Sequence, residues 1–115
     1  MRDASSSFMN GVPELLVLRC LQDREMYGYE LVQEIRERTG AVVTLGEGVV
    51  YPQLHALERS GALLSRRKSV QGRSRVYYAL TPKGAERLTG LSKTWATLAA
   101  AIVTAMQGDA CAGAV

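Results

Sequence analysis

Cysteine, histidine, tryptophan and phenylalanine are all scarce in this chain: its 115 residues include two Cys, one His, one Trp and one Phe. Cys20 lies in an apolar run and Cys111 in a small-residue tail, with no CxxC spacing and no His pair near either, so neither a structural disulfide nor a metal site is expected. Cys20 reads as a small buried hydrophobe. No segment approaches the roughly 18 uninterrupted apolar residues of a membrane span, and the N-terminus lacks an apolar stretch of signal-peptide length. A soluble cytoplasmic chain with no membrane partner is the expectation. Nucleophile–base pairs, paired carboxylates and phosphate loops are missing too, so an enzyme is not expected and no cofactor is implied.

What is present is one small domain's worth of apolar residues, 47% of the chain, and a charge that is unevenly placed. The net charge is only +3, but the stretch 66–87 holds Arg66, Arg67, Lys68, Arg73, Arg75, Lys83 and Arg87 against the single acid Glu86. A local field of that kind suits a polyanion met on one face. The first third, with Glu14, Asp23, Glu25, Glu30, Glu34 and Glu37, is slightly acidic.

The stretch 48–61 carries the sharpest signal. Val50, Leu54 and Leu57 recur at helical spacing, leaving Val49, Pro52, Gln53 and Arg59 on the opposite face with Tyr51 and His55 on the flanks. Gly61 stands where a left-handed cap is wanted, and Leu63–Val70 and Arg73–Leu80 can pair as strands around Gln71 and Gly72. A helix with a free polar face followed by a basic hairpin has the form of a recognition helix and a wing. The expected fold is therefore mainly α with a small β-wing: a winged helix-turn-helix unit over 8–81, a C-terminal dimerisation helix over 82–106, and disordered ends at 1–7 and 107–115.

Other elements follow from local signals. A first helix is expected from about Asn10 or Pro13 to Leu21, with Pro13 tolerable only in its first turn. It is apolar most of the way round and should touch something besides its own core. A second helix spans about Gly28 to Thr39, capped by Gly40, and Val42–Leu45 is expected to extend and pair with the wing as a third strand. Gly46 or Thr44 would cap the third helix. Thr81 and Pro82 mark the start of the last helix, on which Leu88, Leu91, Trp95, Leu98, Ile102 and either Ala105 or Met106 form a heptad seam. A homodimer through this seam and the first helix is expected. Tyr27, Tyr29, Tyr77 and Tyr78 read mostly as packing residues.

Several separated motifs resemble the PadR family of bacterial transcriptional regulators: Tyr27-Gly28-Tyr29-Glu30-Leu31; Gly48 with Tyr51-Pro52 and Leu54; Leu57-Glu58 with Gly61; Arg75 with Tyr77-Tyr78; and Leu80-Thr81-Pro82 with Gly84. The resemblance covers about Phe8 to Met106. It implies a dimeric repressor binding double-stranded operator DNA, with Val49, Tyr51, Pro52, Gln53, His55, Arg66, Lys68, Arg73 and Arg75 at the DNA. A single C-terminal helix is similar to the short subfamily that includes multidrug-binding regulators, whose paired tryptophans bracket a flat apolar molecule at the dimer interface. That likeness implies a flat aromatic effector contacted by Trp95, Leu15, Leu98, Ala99, Phe8 and Arg19. Three departures stand out: Val49 replaces the hydroxyl residue of many relatives, Pro13 stands where it would displace the start of the first helix, and Ala99 stands where an acid can occur. The reading from another class is a winged-helix interaction module that binds a protein partner and no DNA.

Overall fold

A computed structural model describes residues 10–107, and the expected arm at 1–7, Phe8 and the tail beyond Gln107 lie outside them. The order of elements is α1 (Val12–Asp23), β1 (Met26–Tyr27), α2 (Gly28–Arg38), α3 (Glu47–Arg59), β2 (Leu63–Val70), β3 (Arg73–Leu80) and α4 (Pro82–Met106). The three strands form one antiparallel sheet in the order β1-β3-β2. This is the winged helix-turn-helix fold with an appended C-terminal helix.

Each helix starts and stops for a local reason. Pro13 falls in the first turn of α1, where its missing N–H costs no bond. The Glu30 side chain accepts the Tyr27 N–H at 3.2 Å, closing the first turn of α2. Gly61 has φ +86° after α3, a left-handed conformation that glycine adopts without strain. Thr81 caps α4 by accepting the Gly84 N–H at 3.0 Å, and Pro82 follows at the first helical position. The hairpin turns on Gln71 and Gly72, both left-handed, with φ 52° and 78°.

Val42–Leu45 does not form the third strand. The Thr39 hydroxyl both accepts from the Val43 N–H at 3.0 Å and donates to the Val43 carbonyl at 3.1 Å, which draws this backbone to the end of α2 rather than into a ladder. The third strand is instead Met26–Tyr27, which pairs with Tyr78 and Tyr77. Of the two caps considered for α3, Gly46 takes the position.

The core joins Val17, Leu18, Cys20 and Leu21 of α1 to Leu31 and Ile35 of α2, Val50, Leu54 and Leu57 of α3, Met26, Leu63 and Tyr78 of the sheet, and Leu88 of α4. The two-sided apolar surface of α1 is largely accounted for within the chain, since α1 packs on α2, α3, α4 and β3. Leu88, expected in the dimer seam, is 2% exposed and anchors α4 to its own domain. The open part of the seam lies further along, where Trp95, Leu98, Ile102 and Met106 are exposed, with Val103 beside them.

Candidate nucleic-acid interface

The core stripe of α3 fixes which of its residues face outward. With Val50, Leu54 and Leu57 buried, Val49, Pro52 and His55 are exposed and Gln53 is half-exposed. Tyr51 turns back toward α2 and packs on the core margin. Its ring lies so close to Gly28 that a Cβ there would come within 2.5 Å of Tyr51 Cζ. The absence of a side chain at Gly28 is what seats the Tyr51 ring beside the first turn of α2. His55 stands next to Tyr51, with ring centroids 6.3 Å apart.

Strand alternation divides the hairpin cations. Leu63, Ser65, Arg67 and Ser69 share one face of β2, and Leu64, Arg66, Lys68 and Val70 the other. The first face turns to α3, because Ser65 donates to the Glu58 carboxylate and Leu63 is in the core. Arg67 therefore looks into a groove of about 660 Å³ between α3, the start of α2 and β3, lined also by Tyr27, Tyr29, Tyr51, His55, Arg73 and Arg75. Arg67 also reaches Ser74 Oγ at 3.3 Å. Arg67 is not among the expected contacts, and its shared parity with Leu63 and Ser65 is the sequence signal for it.

Arg66 and Lys68 occupy the other face, where both are held by Glu25. The arginine side chain beside it, then the lysine, holds the Glu25 carboxyl well below the usual range, at about 2. Glu25 lies 41 residues from Arg66, so no local pattern announces the pairing. On the same face Lys68 Nζ sits 4.4 Å over the Tyr77 ring and the Arg75 guanidinium 4.3 Å over the Tyr27 ring. The two rings meet edge to face at 5.3 Å. Of the four tyrosines read as packing residues, Tyr77 and Tyr78 are buried, Tyr27 is half-buried, and Tyr29 is 53% exposed at the groove.

The expected effector residues are distributed as follows. Trp95 and Leu98 are each 52% exposed on α4, and Ala99 is partly covered. Leu15 packs against the core, and Arg19 is bound to Asp23 at 3.0 Å. Cys20 is buried, and burial pushes its thiol above the ordinary value, which disfavours the reactive thiolate. Among the described residues no group of three or more His, Cys, Asp or Glu side chains is placed to hold a metal, and no helix is long and apolar enough to cross a membrane.

Comparison with known proteins extends these observations. The family model for the transcriptional regulator PadR-like family matches residues 17–90. The chain is 39% identical over 82 residues to transcriptional regulator Rv3488 of Mycobacterium tuberculosis, an alignment covering 71% of this chain and 74% of that protein. Among solved structures, a PadR-like transcriptional regulator from Bacillus cereus superposes with TM-score 0.77 at 27% identity, covering 88% of this chain and 97% of the other. A PadR family transcription regulator from Clostridium difficile gives 0.74 at 26% identity, with 84% and 99% covered.

Proposed function

The chain belongs to the PadR-like family of transcriptional regulators and is a DNA-binding regulator, and from that premise we propose that it is a homodimeric repressor meeting a pseudo-palindromic operator through α3 and the hairpin. The groove carries this reading: one wall is the flank of α3 that bears Glu47, Tyr51 and His55, next to its outer face, and the other is lined by Arg67, Arg73 and Arg75. Val49, Pro52, Gln53 and His55 face the base edges. Gln53 is the residue able to read an adenine bidentately, whereas Val49 offers only an apolar contact. Tyr51, seated by Gly28, presents its hydroxyl to a phosphate, and the hairpin cations position the domain without reading sequence.

The second chain packs on the open seam of α4, since Trp95, Leu98, Ile102, Val103 and Met106 together form an apolar strip that a lone protomer leaves in water. Repression acts by occluding polymerase. A flat apolar effector enters between the two Trp95 side chains, beside Leu98 and Ala99, with Leu15, Arg19 and Phe8 as further contacts. Ala99 supplies no counter-ion, which favours neutral over cationic compounds. Release requires that the effector bind the DNA-incompetent spacing of the two reading heads more tightly than the competent one.

The test is a titration of duplex DNA by fluorescence anisotropy at several salt concentrations. Unaltered protein should lose affinity steeply with salt. Arg67→Ala should weaken binding to all duplexes and flatten the log–log slope by about one unit. Gln53→Ala should leave that slope in place and narrow the ratio between preferred and random duplex by about 1–3 kcal/mol. Salt-independent or absent binding of the unaltered protein sinks the DNA-binding reading.

A further inference from the structure

The five cations of the hairpin are not equivalent as phosphate ligands. Glu25, just ahead of β1, accepts from Arg66 Nε at 3.1 Å and from a terminal guanidinium nitrogen at 2.9 Å, filling the fork that a pair of phosphate oxygens would fill. The same carboxylate accepts from Lys68 Nζ at 2.5 Å. Lys68 is closed in from the other side by the Tyr77 ring. Tyr77 in turn is buried and braced by Tyr27, so the carboxylate, the ammonium and the two rings form one packed layer on the side of the sheet away from α3. A phosphate arriving at Lys68 or at the Nε edge of Arg66 would have to displace Glu25, and one approaching the open edge of Arg66, whose side chain is 66% exposed, would still meet the Glu25 charge. Arg67 lies on the opposite face of the same strand, free of that layer.

Building on the DNA-binding reading above, we propose that Glu25 is an internal counter-ion that withholds Arg66 and Lys68 from DNA phosphates, so that the hairpin meets the duplex through Arg67 and through Arg73 and Arg75, which share the strand face of Lys68 but line the groove and have no carboxylate partner among the described residues. The role is one of positioning and specificity. Two withheld cations lower the sequence-independent part of the affinity, and the base contacts of α3 then decide a larger share of the choice between sites. The Glu25 carboxyl is ionised throughout the physiological range, so the counter-ion is permanent and not a pH switch.

Salt-dependent binding to a random-sequence duplex separates this role from simple bracing of the wing. Glu25→Gln keeps the shape and removes the charge. It should bind random duplex more tightly at low salt, with a log–log slope steeper by about 1–2 units, so that its advantage shrinks about tenfold between roughly 50 and 200 mM salt. Adding Arg66→Ala to that variant should return about one unit of slope. Arg66→Ala in the otherwise unaltered chain should change the slope by less than about half a unit, because that cation is already neutralised. This exposed substitution keeps the test decisive even where Glu25→Gln fails to fold. An unchanged or shallower slope in Glu25→Gln, or a full unit lost in Arg66→Ala alone, overturns the proposal. Should the unaltered protein bind no DNA, the function reading fails first, and elution from a heparin column still decides this one: Glu25→Gln should elute at higher salt than wild type, and equal elution contradicts the counter-ion.

Discussion

Gly84 and Gly90 lie on the same helix, and alanine at each should act with opposite sign. A Cβ at Gly84 would stand 2.1 Å from the Ala62 carbonyl oxygen and 2.8 Å from Leu80 Cδ1, and the first of these is backbone that cannot step aside. Gly84→Ala should therefore force α4 away from the start of β2 and cost about 1–3 kcal/mol. At Gly90 a Cβ meets nothing within 4 Å, so alanine adds helix propensity alone and should stabilise by about 0.5–1 kcal/mol. Chemical denaturation of both variants checks this; a Gly84→Ala chain as stable as wild type would mean that α4 is not seated against Ala62 as described. Gly28 belongs to a different kind, because its would-be Cβ meets the end of the Tyr51 ring, a side chain that can swing. Single residues were unevenly legible in the sequence. Outward positions on α3 could be read from the burial period of Val50, Leu54 and Leu57, whereas the partnership of Glu25 with Arg66 and Lys68 is created by β1 crossing to β3 and has no local sign.

At the scale of elements, legibility followed the strength of the punctuation. The hairpin spans Leu63–Val70 and Arg73–Leu80 as its turn residues and alternation imply, and α4 starts at Pro82 after Thr81 as its cap signals imply. The third strand differs from the sequence expectation because Met26–Tyr27 is too short to show alternation, while Val42–Leu45 has strand-like composition but is tied to Thr39 through Val43. The expected hairpin contacts, Arg66, Lys68, Arg73 and Arg75, leave out Arg67, although a strand turns successive side chains to opposite faces and puts Arg67 on the groove side of β2 and Arg66 behind it. On α4 the periodic stripe reads as one seam, but its first two members, Leu88 and Leu91, pack on the chain's own core. The half from Trp95 onward should be the dimer contact. Leu98→Asp with Ile102→Asp should therefore give monomer in analytical ultracentrifugation, while Trp95→Ala should remain dimeric and lose its response to flat aromatic compounds. A double-aspartate variant that stays dimeric removes the seam from the interface.

The described residues span 63 × 34 × 22 Å, long because α4 runs well past the packed domain. Its first residues tie it to that domain through Leu88 and through the Arg87–Glu14 ion pair to α1, and the remainder projects with its apolar strip uncovered. A two-fold pairing along that strip places two copies of α3 and two hairpins on one assembly, which is the geometry an inverted repeat in DNA requires. Neither composition nor periodicity fixes the operator, because base choice depends on which outward residues of α3 reach which edges once the pair is docked. Selection of bound sequences from a random duplex pool, followed by hydroxyl-radical footprinting of the winners, tests the central claim that this is a dimeric DNA reader. The expected result is an enriched inverted repeat whose protected half-sites lie about one helical turn apart, centre to centre. A pool that returns unenriched, or a single unrepeated site protected once, contradicts it.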